Sequence, residues 1–589
     1  MKTPPKKLTA WVKEHKELTI IVLILIFATF LRTYQLSNPP LWIDESTSAV
    51  ASRMILEKGT PTFDSGLLYS RAYFFHYTQA LFLAISETDF WARIPSVIFG
   101  LLTILLAYYI GREYSKKSGG VLTALFTTIF YLEVFYSRQA RFYQLFQLSF
   151  FASLYFLYKS KENPKYLIPA TLTFILCLDT QIAGIILAPF FITHTLLYNK
   201  KLHKLTTIIP LAYLIKYFTP TKTLTTVGAE GEAINYASQY FDFTKNMYYL
   251  LILFIPGTIW AFIKKKRLTT LIILPSIIML IGITTLRTFA LRYAYFFAFP
   301  LILYTSLLLS FLYDKYGKSM IPAILLLIII PSNLVYPYTY VNVIKPINYN
   351  YNDYSAPTIN LKQTPEELTS VLNNNTVIVY FSSTYEWYIG KPTYVLPFSM
   401  NGIGYDQISM ENSEGLLVDE YSGSPILQEK PKGPYYLVAD HFSVSKLKGE
   451  QITLHNNLTQ NCSVLYENPT LKIYECLPEN YARVSRVIDG DTLQLQNGDI
   501  VRLICIDTPE KGEEGFEEAT SQLQKLAGNK IVRLEKDVSE TDQYGRLLRY
   551  VYTYDNGEEV FVNKQMVKNG LAELFPYEPD TKLCGVISG

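Results

Sequence analysis

Apolar stretches of nearly the length needed to cross a bilayer, about 20 residues, recur through the first 340 positions of this chain. They lie near 17–36, 92–111, 119–137, 142–158, 165–179, 182–198, 204–219, 245–263, 268–286, 290–312 and 319–338, about eleven in all. Nothing constrains the fold more, because each stretch must be covered by lipid or by its neighbours. Composition agrees: charged residues are 17% and hydrophobic residues 49%, against roughly 25% charged in ordinary soluble domains. At 589 residues the chain exceeds one domain. Its net charge of +3 by itself selects no partner.

The loops orient the spans. Basic clusters stand at REYSKK (112–117), YKSKENPK (158–165), YNKKLHK (198–204), KKKR (264–267) and DKYGK (314–318). With the N-terminus inside, eleven spans put every cluster on the cytoplasmic face, as the positive-inside bias requires. The basic start MKTPPKK and the apolar run after it lack a small-x-small cleavage site, so the run reads as an uncleaved first span. The expectation is an integral plasma-membrane protein, N-terminus cytoplasmic, with residues after about 340 extracytoplasmic. The first outward loop, 37–91, carries WIDESTSAV at 42–50 and AYFFHYTQALFLAI, which reads as an interfacial helix.

Charged residues collect on the outward face. Asp44 and Glu45 follow the first span; Arg138 and Arg141 (SRQARFY), Asp179, and Arg287 with Arg292 and Tyr293 (LRTFALRYAYF) come from other loops. A carboxylate there can take the proton of an attacking hydroxyl, and arginines can hold a phosphate with forked hydrogen bonds. Together they suit sugar transfer from a lipid phosphate, whose leaving charge must be stabilised. Arginines at span ends also simply reach for headgroups.

WIDESTSAVASRMILEKGTP, FWARIPSVIFGLLTILLAYYIGREY, YSRQARFYQL and LRYAYFFAFPLIL together resemble the GT-C membrane glycosyltransferases, in the branch of the protein mannosyltransferases and the lipid A aminoarabinose transferase. The resemblance covers about 1–340. It implies Asp44 as the base of an inverting transfer, Glu45 as its neighbour, and Arg93, Arg138, Arg141 and Arg292 as phosphate-binding or loop-positioning residues. It implies a polyprenyl-phosphate sugar donor and leaves a metal in this site undetermined. Gln139 stands where relatives often carry an acid.

Residues 341–480 are polar and rich in Tyr and Asn, and read as a small extracytoplasmic α/β or α+β domain. TVIVYFSSTYEWYI and PYYLVADHFSV read as buried strands, and TPEELTSVLNN as a helix with Thr364 and Glu367 in capping-box spacing. Sequons at Asn374, Asn457 and Asn461 fit an outward surface. Of five cysteines only Cys462 and Cys476 look like a pair, flanking SVLYENPTLKIYE, and a disulfide there needs an oxidising compartment. Two unrelated thiols fit the spacing equally.

The last segment changes character. In RVIDGDTLQLQNGDIVRLICIDTPE, alternating runs flank Asn497-Gly498, a strong hairpin signal. Pairing about those two residues sets Asp507 opposite Ile488 and brings Asp491 near it. Arg502 sits on the second strand and Glu510 lies three residues past Asp507. Adjacent carboxylates repel unless a cation lies between them, and a hard divalent ion such as calcium suits oxygen ligands. Glu510 could then activate a water, with Arg502 and Arg546 (DQYGRLLRYVYTY) facing a phosphodiester.

VIDGDT, VRLICIDTPE, GFEEATSQL, DQYGRLLRYVY and VNKQMVKNGLA, in this order, resemble the thermonucleases of the staphylococcal nuclease type over about 482–580. The resemblance implies an OB-like five-stranded barrel acting on DNA or RNA. It implies calcium held by Asp491, Asp507 and the Thr508 carbonyl, phosphate bound by Arg502 and Arg546, Glu510 as general base, and nucleotide contact at Tyr544. Against it, 482–589 holds 13 Lys+Arg and 19 Asp+Glu, a balance of 13 − 19 = −6, where nucleic-acid binding usually leans on basic surface. Relatives also continue past LAELFPYEPDTK into a long charged helix where this sequence reads LCGVISG, which predicts an exposed core.

The expected architecture is a polytopic helical region at 1–340, an extracytoplasmic domain at 341–480 and a nuclease-like barrel at 481–589 lacking its final helix. Three readings compete: a fusion of two enzymes, which the intact motif sets favour; a glycosyltransferase with a binding-only appendage; and a polytopic transporter with a secreted domain. A transporter would carry charges at mid-bilayer, whereas the acidic pair lies at the outer rim.

Overall fold

Apolar helices reverse where cationic side chains must regain water, and that rule organises the first half of the chain. In the computed structural model, residues 14–198, 210, 248–284, 291–330, 358–396, 409–412, 414–460, 462–555 and 558–588 are described. Among them three helices are long and apolar enough to cross a membrane by length and composition: Asp89–Ile129, Leu250–Thr284 and Arg292–Leu327. Each contains two of the expected spans. The first breaks at Ser115 and Lys116, the second at Lys265, and the third at the 3-10 turn Gly317–Met320. These breaks fall in or beside REYSKK, KKKR and DKYGK.

Shorter apolar helices follow the other expected spans, at Lys16–Thr33, Tyr143–Lys159, Leu167–Thr180 and Ala188–Tyr198. The stretch at 204–219, save 210, lies outside the described residues, as does Arg287. Three long helices, not about eleven, meet the length criterion among the described residues. The interfacial stretch forms the 11-residue helix Tyr73–Leu83, about 16 Å long and too short to cross. Large apolar side chains such as Leu23, Ile26, Ile252 and Ile263 stand exposed on these helices, a surface that lipid, not water, would cover.

Beyond residue 358 the strands are β1 (Val377–Val379), β2 (Tyr394–Val395), β3 (Ser409–Glu411), β4 (Leu417–Asp419), β5 (Tyr435–Asp440), β6 (Cys462–Asn468) and β7 (Leu471–Cys476). β1 and β2 pair in parallel, β3 and β4 antiparallel. Both long strand expectations are corrected. TVIVYFSSTYEWYI keeps only β1 as strand, and Ser382–Tyr388 is a helix. Its small hydroxyls permit close approach to another helix: Thr384 bonds Ser46 at 3.0 Å and Ser383 bonds Thr47 at 3.0 Å. In PYYLVADHFSV the strand ends at Asp440, whose carboxylate accepts from the Ser443 N–H at 2.7 Å and starts the turn His441–Val444. The capping box is not formed either: the Glu366–Asn373 helix has Pro365 at its N-cap, and the buried Thr364 hydroxyl has no partner among the described residues.

The last strands are β8 (Tyr481–Val487), β9 (Thr492–Leu495), β10 (Ile500–Leu503), β11 (Cys505–Asp507), β12 (Ile531–Glu535), β13 (Leu547–Asp555), β14 (Glu558–Phe561) and β15 (Glu573–Phe575). They run in the order β10-β9-β8-β12-β13-β14, and β10 also pairs with β13. That extra pairing closes five strands into a barrel, leaving β14 as an added edge. Leu493, Val501, Val532, Val551 and Leu523 of the helix Phe516–Ala527 are buried in its core.

By contacts the chain divides into two compact units. One comprises 1–427, 438–452 and 466–472; the other comprises 428–437, 453–465 and 473–589.

Candidate functional sites

The helix Ile43–Lys58 carries Asp44 and Glu45 side by side, and the helical turn sends them to different fates. Glu45 points inward. Its carboxylate takes a forked pair from Arg93, Nε at 2.9 Å and Nη2 at 2.7 Å, and accepts from the backbone N–H of Trp42 and of Ala140. Arg93 spends its other donors on the carbonyls of Leu36, Pro39 and Pro40. Both side chains are buried. Such a pair is held for architecture: it pins the loop after the first helix to the Asp89–Ile129 helix. Arg138 does the same at the end of the first helix, donating to the carbonyls of Leu31 and Tyr34 at 3.0 and 2.8 Å.

Asp44 is arranged otherwise. Its Oδ2 lies 3.7 Å from a guanidinium nitrogen of Arg141 and 3.7 Å from one of Arg292, and receives the Tyr143 hydroxyl at 3.3 Å. Its side chain keeps 28% exposure. At 3.7 Å the two arginines are too far for short hydrogen bonds. Arg141 is anchored behind by the Asp44 carbonyl, Ser48 and Tyr69, and Arg292 lies over the Trp42 ring. The structure thus brings Asp44, Arg141 and Arg292 together, while Glu45 and Arg93 pair with each other and Arg138 bonds backbone carbonyls of the first helix. Tyr143, Tyr69 and Ser48 were not singled out from sequence; Tyr143 stands two residues past Arg141, inside a motif already noticed. Gln139 directs a buried Oε1 with no partner among the described residues.

In the barrel the hairpin register differs from expectation. Arg502 pairs with Thr492 and Val501 with Leu493, so the connection is a three-residue loop, 496–498, with Gly498 at φ 96°. A loop of this length with a left-handed glycine adds one residue to one strand. Asp507 therefore does not extend the hairpin opposite Ile488; it lies on β11, paired with Glu573 of β15.

The acids still meet, through Arg502. One Nη reaches Asp491 at 2.6 Å and the other Asp507 at 2.7 Å. The remaining Asp491 oxygen accepts from the backbone N–H and hydroxyl of Thr508 at 3.0 and 2.9 Å. Gly490 permits this closeness, since a Cβ there would stand 2.6 Å from the Thr508 hydroxyl. Burial pushes the Asp491 carboxyl up to about 6, and Arg502 pulls it back. Glu510 is exposed on the loop after Thr508, with its backbone N–H bound to Glu513. Arg546 precedes Leu547, the partner of Val501, and is tied to Asp542 at 2.6 Å. Tyr544 is 75% exposed and lies near the Arg546 guanidinium.

Among the described residues no three His, Cys, Asp or Glu side chains form a metal group. Two carboxylates, Asp491 and Asp507, reach the same guanidinium, the kind of acidic oxygens a hard cation takes. Thr508 faces Asp491 through its N–H and hydroxyl, and Arg502 supplies the positive charge that offsets the buried carboxylate.

Two disulfides are present. Cys462–Cys476 confirms the strand-turn-strand pair. Cys505–Cys584 was not anticipated, and corrects the reading that only one pair exists. Its partners lie 79 residues apart, beyond any local pattern. It ties the terminal helix Cys584–Ser588 to β11, with Cys584 and Ile587 buried in the barrel core. The terminal segment covers core that was expected to be exposed.

The fold is a region of apolar helices followed by a β-barrel. Residues 70–222 match the family model of dolichyl-phosphate-mannose-protein mannosyltransferase, and residues 500–583 that of staphylococcal nuclease homologue. The chain is 38% identical over 116 residues to a thermonuclease of Staphylococcus hyicus, covering 18% of this chain and 64% of that protein. It is 40% identical over 108 residues to a thermonuclease of Staphylococcus intermedius, covering 17% and 62%. An uncharacterized endonuclease of Escherichia coli O157:H7 is 34% identical over 98 residues, covering 16% and 61%. The chain therefore spans less than two thirds of the length of these relatives. It joins a region similar to the mannosyltransferase family to one similar to staphylococcal nuclease homologues.

Proposed function

We propose that this is a two-enzyme membrane protein: a calcium-dependent nuclease cleaving phosphodiester bonds of DNA or RNA, joined to a glycosyltransferase that uses a polyprenyl-phosphate sugar. The observation that carries the reading is Arg502 held between Asp491 and Asp507 beside Thr508. In the barrel, calcium held by Asp491, Asp507 and Thr508 would supply positive charge to the phosphodiester. Arg502, released from the acids, turns its fork to a phosphate oxygen. Glu510 takes the proton of the attacking water. Arg546, at the start of β13, meets the phosphate from the second side, and Tyr544 offers its exposed ring to a base.

In the helical region Asp44 accepts the acceptor hydroxyl's proton while Arg141 and Arg292, only loosely engaged by it, turn to the lipid phosphate. Glu45, Arg93 and Arg138 hold the helices that carry them. An extracytoplasmic place for residues after about 340 is supported by the two disulfides, which need an oxidising compartment. The division into 1–340, 341–480 and 481–589 belongs to the same proposal.

One observation favours a barrel that binds without cleaving: both guanidiniums, Arg502 and Arg546, are already committed to carboxylates. Hydrolysis of single-stranded DNA by the purified full-length protein separates the readings. Activity that appears with calcium, vanishes with chelator and falls roughly 100- to 1,000-fold in Arg502→Ala supports the nuclease. Binding without cleavage at any calcium concentration refutes it.

A further inference from the structure

The three helix reversals described above also meet around a cavity of about 1040 Å³. Arg112, Lys116, Lys117 and Lys264 line it, and among the described residues Asp314 is the one carboxylate that does. That carboxylate is turned to the hydroxyls of Ser115 and Ser118, at 2.8 and 3.0 Å. Glu17 answers Arg112 and Lys117, each at 3.6 Å. Lys116 and Lys264 have no carboxylate partner among the described residues; Lys264 lies 5.8 Å from the Trp260 ring. Lys116 sits at the break itself, with φ 48°, a left-handed conformation that lysine adopts only when its surroundings impose it.

Behind the cations the walls are apolar: Val121, Leu122, Leu125, Trp260, Phe311 and Ile324. Two further lining residues, Ile321 and Leu325, are 40% and 43% exposed, so the cavity opens onto the apolar outer surface of the helices. Such a shape pairs cations at one end with hydrocarbon-lined depth opening sideways. The site is separate from Asp44. From Arg93 to Arg112 along one helix the rise is about 29 Å, close to the roughly 30 Å hydrocarbon thickness of a bilayer. The cavity thus stands one membrane thickness away from the Glu45–Arg93 end.

We infer that this cavity binds an anionic phospholipid, its phosphate between Lys116 and Lys264 and an acyl chain along Leu122, Trp260 and Phe311. Charge selects the headgroup, because two unneutralised lysines favour a net-negative lipid over a zwitterionic one. The open apolar flank selects a lipid over a free phosphate, which would leave those walls wet.

The test uses delipidated full-length protein in a neutral detergent, titrated with dioleoylphosphatidylglycerol or dioleoylphosphatidylcholine, with bound lipid counted by native mass spectrometry. The expected result is preference for phosphatidylglycerol, reduced roughly 30-fold in the Lys116→Gln, Lys264→Gln double variant. The Lys116→Arg, Lys264→Arg variant keeps the preference, and millimolar inorganic phosphate does not displace the lipid. Equal binding of both lipids by the wild-type protein overturns the inference without recourse to any variant. So does an undiminished preference in the glutamine variant, or displacement by inorganic phosphate.

Discussion

Asp44 and Asp491 both face arginines, yet they are held in opposite ways. Asp491 is gripped: Arg502 at 2.6 Å, Thr508 twice, and a side chain only 7% exposed. Asp44 is cradled at a distance, with Arg141 and Arg292 each at 3.7 Å and 28% of its side chain exposed. The difference bears on the proposed function: around Asp44 the arginines engage no short bond with the carboxylate, whereas in the barrel Arg502 is already bonded to both acids. Glu45 completes the contrast one residue away. Its carboxylate is buried in a fork with Arg93, with no opening to a reactant like that of Asp44.

The sharpest way to break the comparison is Asp44→Asn. Transfer from a lipid-phosphate sugar is expected to fall about 100- to 10,000-fold while helix content by circular dichroism stays unchanged; persistent transfer removes Asp44 as base. Next, Arg93→Ala strands the Glu45 charge in a buried site. It is expected to cost about 3–5 kcal/mol, read as loss of folded, monodisperse protein, whereas Arg292→Ala should leave folding intact. Equal folding in both would erase the line between scaffold and site.

A smaller effect sharpens the barrel side. Cys584→Ser opens the clasp between β11 and the terminal helix. A loss of about 2–4 kcal/mol is expected, read as earlier release of the barrel in limited proteolysis.

The smallest expected effect concerns pH. Burial pushes the Glu386 carboxyl up to about 7, with Arg53 opposing. Its folded pKa exceeds the unfolded value, so its stabilising contribution is complete below about 4.3, the unfolded pKa. That contribution is lost as pH rises through about 7. Thermal stability of the helical unit should fall over that window, and Glu386→Gln should flatten the dependence. A wild-type profile already flat between those limits would show that Arg53 keeps Glu386 ionised throughout.

What was legible from sequence followed from short-range rules. Lysine and arginine clusters cannot remain in hydrocarbon, so REYSKK, KKKR and DKYGK marked where the long helices break. The acids and the arginine of the barrel stand close along the chain, so Asp491, Arg502 and Asp507 are legible together, whereas Thr508 came only from the resemblance to the thermonucleases. The local reading failed where a partner came from far away. FSSTYEWY looked like strand and became helix because Ser383 and Thr384 meet Thr47 and Ser46, more than 330 residues distant. Asp507 left the expected hairpin because β15 captured it, and Cys505 found Cys584 across 79 residues.

By itself the sequence determined that this chain carries a region of long apolar helices and a terminal β domain with a cluster of acids and arginines, because apolar period and charge are local properties. Only the tertiary structure decided which of two neighbouring carboxylates, Asp44 or Glu45, stays open to a reactant, and that one guanidinium bridges both acids of the barrel. Those choices depend on which distant groups fill the space around each side chain, and that is fixed only when the whole chain packs.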